Sequence, residues 1–483
     1  MIKKYFLSNL LLMLLLNILI KPIWIFFIDR NVQLTVGHEA YGLYSALASL
    51  SIIFNILLDF GITNYNNKNL AADTSSLQTA MPNMIVTKLM LSLVYLFIVM
   101  LAGLFLGYTS HALYLLLLLA FIQLLNSFLQ YLRSNVSAHH DFKIDSVLSV
   151  ADKIIMIGIC GFLLFHEDYK KIFILEWFIY AQIIAYACSI LLSVTIIIRR
   201  YSGIHFKHIS MAEMKGVFRS SIPYAVLILL MGAYMRSDML MLERMEGSLQ
   251  SSLYVQAFRI LDAVNMMGFL FAGILLPMFA RMISKAMPVS ELLRTSNNIM
   301  LSVSLGIMAH SLIYGQDIMN LLYHDGSSAM HWIYGLVISA FPAYCLMYSY
   351  STLLTAKGKI QLLIYIALLG TVTSILSNLI LIPYLQARGA AWTALFVQWL
   401  LAFIYMVACI RIFNLKLSLI WPLKFIGLFG LLLMLNLLLK NLSIGLYVSL
   451  PVNLLSFIVL VYLIRLWDMN LLKGMLKQYK SPA

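Results

Sequence analysis

Acidic residues are scarce in this chain. Nineteen Asp and Glu serve 483 residues, and none occurs from Gly326 to Trp467. Charged residues of both signs reach only 11%, too few to cover a soluble globule of this length, and the mean hydropathy of +0.92 agrees. Water is therefore not the solvent of most of the surface. The four cysteines, Cys160, Cys188, Cys345 and Cys409, all fall inside apolar runs, which excludes a disulfide framework and leaves them as small packing residues. No glycine-rich loop has Walker spacing, so ATP hydrolysis by the chain itself is unsupported. The histidine groups "HHD" (His139 to Asp141) and "YHDGSSAMHW" (Tyr323 to Trp332) lack metal-ligand spacing and read as solvated loops. Neither a metal nor a cofactor is expected.

Long apolar runs are what the chain has in abundance. A bilayer core needs about 20 apolar residues per helix. That rule predicts an all-α integral membrane protein of about 14 transmembrane helices, near 7–29, 42–62, 84–107, 111–133, 146–165, 172–198, 219–242, 253–280, 299–322, 330–354, 361–383, 389–410, 419–440 and 444–464. The first run follows Lys3 and Lys4 as a signal peptide would, but no small-residue cleavage site follows and the apolar pattern resumes after Lys21. It is expected to be retained. With the N-terminus in the cytoplasm, 21 of the 33 Lys and Arg lie on the inner side and 6 on the outer side, which predicts both termini inside. Much of the +14 net charge is then topological, and nucleic acid is not an expected partner. No outer loop is long enough to fold alone, so the function is expected within the membrane.

A weak duplication runs through these segments. "GLYSALASL" (Gly42 to Leu50) opens the second and "SLYVQAFRIL" (Ser252 to Leu261) opens the eighth, and Tyr44 and Tyr254 are 210 residues apart. Two tandem six-helix bundles give such an offset, and parallel repeats of this kind are a transporter architecture. The predicted lobes are residues 1–200 and 201–413, followed by residues 414–483 with two extra C-terminal helices and a cytoplasmic tail.

Ionised side chains inside such segments are costly, about 2.5 to 3.5 kcal/mol on insertion scales, and normally face a wet cavity or a partner. Lys21 lies about fourteen residues into the first segment, beyond easy reach of the cytoplasm. Asn17, Lys21, Trp24 and Ile28 recur on one helical stripe, with Pro22 set to kink the helix beside the lysine. Arg236 and Asp238 in the seventh segment and Arg259 and Asp262 in the eighth fall in the same outer half. Two readings of these groups stand together: a cationic binding site, or an outward-reaching lysine with structural ion pairs. Asn55, Asp59, Lys88, Asp152 and Lys153 form a second set nearer the cytoplasm, where snorkelling accounts for Lys88, Asp152 and Lys153.

Three stretches carry a family resemblance: "HEAYGLYSALASLSIIFNILLDFGITNYNNKNLA" (His38 to Ala71), "SSIPYAVLILLMGAYMRSDMLMLERMEGSLQSSLYVQAFRI" (Ser220 to Ile260) and "ILSNLILIPYLQARGAAWTALFVQ" (Ile375 to Gln398). They resemble the bacterial polysaccharide-export and O-antigen flippase family of the multidrug/oligosaccharidyl-lipid/polysaccharide (MOP) transporter superfamily. The chain departs from it in having fourteen expected helices where many members have twelve, and in offering only Lys68 as the basic residue after the Asp-Phe-Gly-type turn.

The resemblance implies two six-helix lobes around a central cavity, and a flippase that moves an undecaprenyl-diphosphate-linked oligosaccharide from the inner to the outer leaflet. No covalent chemistry is implied. It places Lys21, Arg236 and Arg259 around the cavity as substrate-binding residues, with Asn17 and Arg30 beside them. A cation-coupled step would use Asp59, Asp238 or Asp262. Its implied partners are the lipid-diphosphate-linked glycan, membrane lipid and other polysaccharide-assembly proteins, and its implied location is the bacterial cytoplasmic (inner) membrane. The alternatives are a multidrug/cation antiporter of the same superfamily, which would line its cavity with acids, and a membrane-embedded glycosyltransferase or polysaccharide polymerase, which would present a sizeable outer loop.

Overall fold

In hydrocarbon the backbone has no water to bond, so a spanning segment must satisfy its own N–H and C=O groups, as a helix does. The computed structural model describes residues 16, 17, 19–60, 77–138, 141–201, 211–324, 327–415 and 420–467, and among them it is helical with no strand. A π-helical turn, Trp24–Asp29, leads into α1 (Arg30–Val36) and α2 (His38–Ile53), and a 3-10 turn, Asn55–Leu58, follows. Then come α3 (Leu77–Phe105), α4 (Ser110–Ala138), α5 (Phe142–Phe165), the short α6 (Glu167–Lys171), α7 (Leu175–Tyr201), α8 (Met211–Glu246) and α9 (Ser248–Ser284). The rest are α10 (Ser290–Tyr323), α11 (Ser328–Ile338), α12 (Phe341–Ala356), α13 (Ile360–Leu385), α14 (Ala387–Phe413), α15 (Ile420–Asn441) and α16 (Leu446–Leu463).

Among the described residues, 12 helical spans are long and apolar enough to cross a membrane. They correspond to the last twelve of the fourteen expected segments. The first two take a different form. Residues 7–15 and 18 lie outside the described residues, and just after Pro22 the helical ladder loosens into the π turn at Trp24. A proline that withholds its N–H is one of the identifiable causes of such a break. The second segment is a helix of 16 residues that stops at Phe54. The stretch expected at 330–354 is two helices, because Pro342 sits in the first turn of α12 and cannot continue α11. Cys160, Cys345 and Cys409 are buried and Cys188 is exposed, all as free thiols.

By contact the chain forms two compact units, Met1–Ser252 and Leu253–Ala483. In the first, α4 packs on α7, α2 and α3, α5 packs on α7, and α2 packs on α8. In the second, α14 packs on α13 and α12, and α10 on α11, α12 and α15. This division follows packing, whereas the lobes 1–200 and 201–413 follow the segment count. α8 joins the first unit through α2.

Two glycines show why the quoted sequence stretches look as they do. A Cβ on Gly42 would lie 1.8 Å from the Ser248 carbonyl oxygen, so α2 rests backbone to backbone on the start of α9 within the first unit. Gln33 Nε2 and His38 Nδ1 meet Ser252 Oγ there at 3.0 and 3.2 Å. In "IPYLQARGAA" a Cβ on Gly389 would lie 2.4 Å from the Leu381 oxygen. Gln386 turns the chain at φ 54°, and Ala390 and Ala391 are fully buried behind it. The motif is therefore the tight corner of the α13–α14 hairpin.

Lys88, expected to snorkel, is instead fully buried. Its Nζ lies 2.7 Å from Asp59 Oδ1, 2.8 Å from Ser127 Oγ and 3.1 Å from the Leu58 carbonyl oxygen. All three ammonium donors are used. The early end of α2 and its 3-10 extension leave carbonyls without intrahelical partners, and a cation satisfies them.

Two stability outcomes follow from these contacts, both read from thermal midpoints of the purified protein in detergent. Gly389→Ala is expected to lose about 1–3 kcal/mol by overpacking against backbone, whereas Gly427→Ala in α15, where nothing lies within 4 Å, is expected to gain about 0.5–1 kcal/mol. Lys88→Met, which leaves Asp59 without its cation, is expected to cost about 3 kcal/mol, and most of that loss should return in Lys88→Met/Asp59→Leu.

Candidate functional site

The stripe Asn17, Lys21, Trp24, Ile28 is turned into the first unit. Asn17 Nδ2 donates to Ser149 Oγ of α5 at 3.0 Å. Trp24 stacks on Phe178 of α7, with centroids 5.8 Å apart and planes 11° from parallel. Ile28 is buried, its Cδ1 3.9 Å from where a Cβ on Gly161 of α5 would stand. Lys21 occupies the middle of this stripe and is half-buried. The charged groups that act on it are Lys153 and Asp152 of α5 and Arg133 of α4. It is an interior lysine, one side of a polar cluster.

The other members are paired and held by aromatic rings. Lys153 Nζ lies 3.2 Å from Asp152 Oδ2, and 5.3 and 5.5 Å from the ring centroids of Trp24 and Tyr186. Both rings are within cation–π range. Arg133 Nε lies 2.8 Å from Asp145 Oδ1, and Arg133 also donates to Gln130 Oε1 at 3.3 Å. Three cations thus meet two carboxylates, and each carboxylate already holds a cation. Among the described residues no carboxylate is within ion-pair distance of Lys21, so the surplus charge rests on it. Such a surplus in a medium of low dielectric favours an entering anion.

The remaining predicted residues are spread over other elements. Arg30 is half-buried at the start of α1. On α8 of the first unit, Arg236 is half-buried and Asp238 buried. Arg259 and Asp262, both half-buried, lie on α9 in the second unit. Asp59 is the ion-pair partner of Lys88. Lys68, His139, His140 and Asp325 lie outside the described residues, and Asp141 pairs with Arg200 at 3.2 Å.

Arg133, Asp145, Asp152 and Lys153 are the functional candidates that sequence reasoning missed or set aside as snorkellers. A signal for them existed. Asp145, Ser149, Asp152 and Met156 recur at helical spacing and are all buried, so α5 carries a polar stripe that repeats the logic of the Asn17–Lys21 stripe.

Comparison with known proteins bears on the family and the fold. The profile of the family described as polysaccharide biosynthesis protein matches residues 6–283, more than half of the chain. None of the curated proteins matches by sequence. Among solved structures, the lipid II flippase MurJ in an inward closed conformation superposes with a TM-score of 0.68 at 13% identity, covering 94% of this chain and 99% of that one. An outward-facing multidrug resistance MATE family transporter of the MOP superfamily gives 0.55 at 14% identity, covering 86% and 96%. A MOP superfamily transporter from Pyrococcus furiosus, described as having a binding pocket of reverse polarity, gives 0.52 at 14% identity over the same shares. With a family match over more than half its length, the chain belongs to the polysaccharide biosynthesis protein family, and its fold is the one shared by MurJ and the MOP superfamily transporters.

Proposed function

We propose that this protein is a flippase that carries an undecaprenyl-diphosphate-linked oligosaccharide from the inner to the outer leaflet of the bacterial cytoplasmic membrane, with both termini in the cytoplasm. The observation that carries this reading is the surplus cation at Lys21, inside a cluster whose two carboxylates are already engaged. A diphosphate needs counter-charge to enter a low-dielectric passage and must still be released. Lysine supplies a point charge and arginine a planar fork for phosphate oxygens. Lys21, Arg236 and Arg259 are the residues assigned to the diphosphate, and Asn17 and Arg30 are assigned to the substrate with them. Asp59, Asp238 and Asp262 are the candidates for a coupling ion.

The lobes 1–200 and 201–413 alternate access to the two sides, and the reaction makes and breaks no covalent bond. Cargo of the O-antigen or lipopolysaccharide type fits the family, as do other polysaccharide-assembly proteins as partners. Efflux of cationic drugs is the competing reading, since MATE transporters share the fold. The cationic cluster argues against it, because it would repel such cargo.

Leaflet translocation of a lipid-diphosphate sugar by the purified protein in liposomes, set beside efflux of a cationic dye, tests the reading. Lys21→Ala, Arg236→Ala and Arg259→Ala should each keep their membrane abundance. Losing one charge-assisted contact of about 1.5–3 kcal/mol should slow flipping about 10- to 100-fold. Lys21→Arg should retain part of the rate. Normal flipping by all three alanine variants removes the cationic mechanism, and a loss of folded protein makes these groups structural.

A further inference from the structure

In water a helix hides its apolar face; in lipid it must hide its polar one. The second unit carries this reversal along the whole of one helix. Asn298, Ser302, Gly306, His310 and Tyr314 of α10 recur every fourth residue, and Asp317 continues the row, so the six form one ridge that winds slowly around the helix. Left to face hydrocarbon, the Asn, His and Asp would each be costly.

Every member of the row meets the C-terminal hairpin of α15 and α16 and the residues just after it. At one end Asn298 Oδ1 accepts from Trp421 Nε1 at 2.8 Å, and Asn298 Nδ2 donates to the Leu466 carbonyl oxygen at 2.9 Å. Trp467 Nε1 donates to Ser302 Oγ at 2.9 Å. Gly306 lets the Phe457 ring approach α10 closely, 3.1 Å from where a Cβ would stand. In the middle, His310 Nδ1 and Asn436 Oδ1 are 2.9 Å apart. Asn436 Nδ2 donates to Asn453 Oδ1 at 2.9 Å and to the Leu432 carbonyl oxygen at 2.8 Å, so one buried network links all three helices. At the other end the Tyr314 hydroxyl donates to the Ile444 carbonyl oxygen at 3.0 Å, the Lys440 ammonium lies over the Tyr314 ring, and Lys440 pairs with Asp317.

The hairpin answers with stripes of its own. On α15 the buried positions are Phe425, Leu428, Leu432, Asn436 and Leu439, and on α16 they are Ser449, Asn453, Phe457 and Val461. Their other faces are exposed and wholly apolar in places such as Ile426, Met434, Leu455 and Tyr462. Lys424 Nζ also donates to the Ile464 carbonyl oxygen at 3.0 Å, tying the hairpin's two ends together.

We infer that α10 is a dedicated docking rail for α15 and α16, and that the hairpin stays locked to it throughout transport. The two extra helices are a permanent wall of the second unit and not a gate. A gate would have to break polar contacts at both ends and in the middle of the rail at once. Rupture at the centre strands His310, Asn436 and Asn453, which are buried and find no replacement partner in hydrocarbon.

The test bridges the rail in a chain whose four native cysteines are replaced by alanine. Asp317→Cys/Lys440→Cys and Asn298→Cys/Trp421→Cys are cross-linked with a short bifunctional thiol reagent, and flipping is measured in liposomes. The bridged protein should flip at the rate of the unbridged one, and arrest on bridging would overturn the inference. This readout rests on the flippase reading, so the rail is also judged by membrane abundance and thermal midpoint. Asn436→Leu should lower abundance several-fold by stranding His310 and Asn453, and His310→Leu/Asn436→Leu/Asn453→Leu should restore it. An Asn436→Leu variant of normal abundance, or a restored triple variant that no longer flips, would also overturn the inference. An unbridged protein that flips nothing counts against the flippase reading alone, and abundance then decides the rail.

Discussion

Hydrocarbon offers no hydrogen bonds, and the rest of this structure depends on that constraint. Every polar group placed in a span has to find its partner inside the protein. Large apolar side chains such as Phe105, Tyr384 and Leu463 therefore stand exposed, while Lys88, Asn135, Asn378 and Asn436 have no exposed surface. Hydropathy alone therefore does not decide burial here. Polar residues within the spans mark the helix faces that pack.

The same constraint separates two kinds of buried charge. Lys88 is self-contained, since a carboxylate, a hydroxyl and a carbonyl take its three donors and the ammonium acts as the cap of a broken helix end. Lys21 has no such closed shell. Its neighbours Arg133 and Lys153 already hold Asp145 and Asp152, and aromatic rings flank the second pair. A closed pair stabilises a fold, whereas a surplus charge suits a visiting anion. The difference lies in what surrounds each ammonium: Lys88 is enclosed by its own partners, whereas Lys21 stands beside ion pairs it does not share.

Much of the architecture was legible because hydrophobic length is a local property. Runs of about 20 apolar residues marked most of the spans, and Pro22 marked one place where the ladder changes, whereas the break before Pro342 was read as a continuous helix. The stripe of Asn17, Lys21, Trp24 and Ile28 was visible from spacing alone. Its destination was not. That it turns toward α5 and α7, and meets Ser149, Phe178 and Lys153, depends on residues more than a hundred positions away. Asp152 and Lys153 looked like interfacial groups because their depth was counted along their own helix, and the neighbours that bury them come from other helices. Lys88 was misread for the same reason.

The amino-acid sequence by itself determined the solvent, the position of the last twelve expected spans, and the resemblance to polysaccharide-export proteins, because each rests on composition or on patterns within a single segment. Tertiary structure decided which charges are spent and which are available, why Gly42 and Gly389 admit no side chain, and that α8 packs with the first unit. It also decided that α10 faces the C-terminal hairpin. These are relations between segments far apart in the chain, and in a membrane the partner of a polar group is set by whichever helix lies beside it.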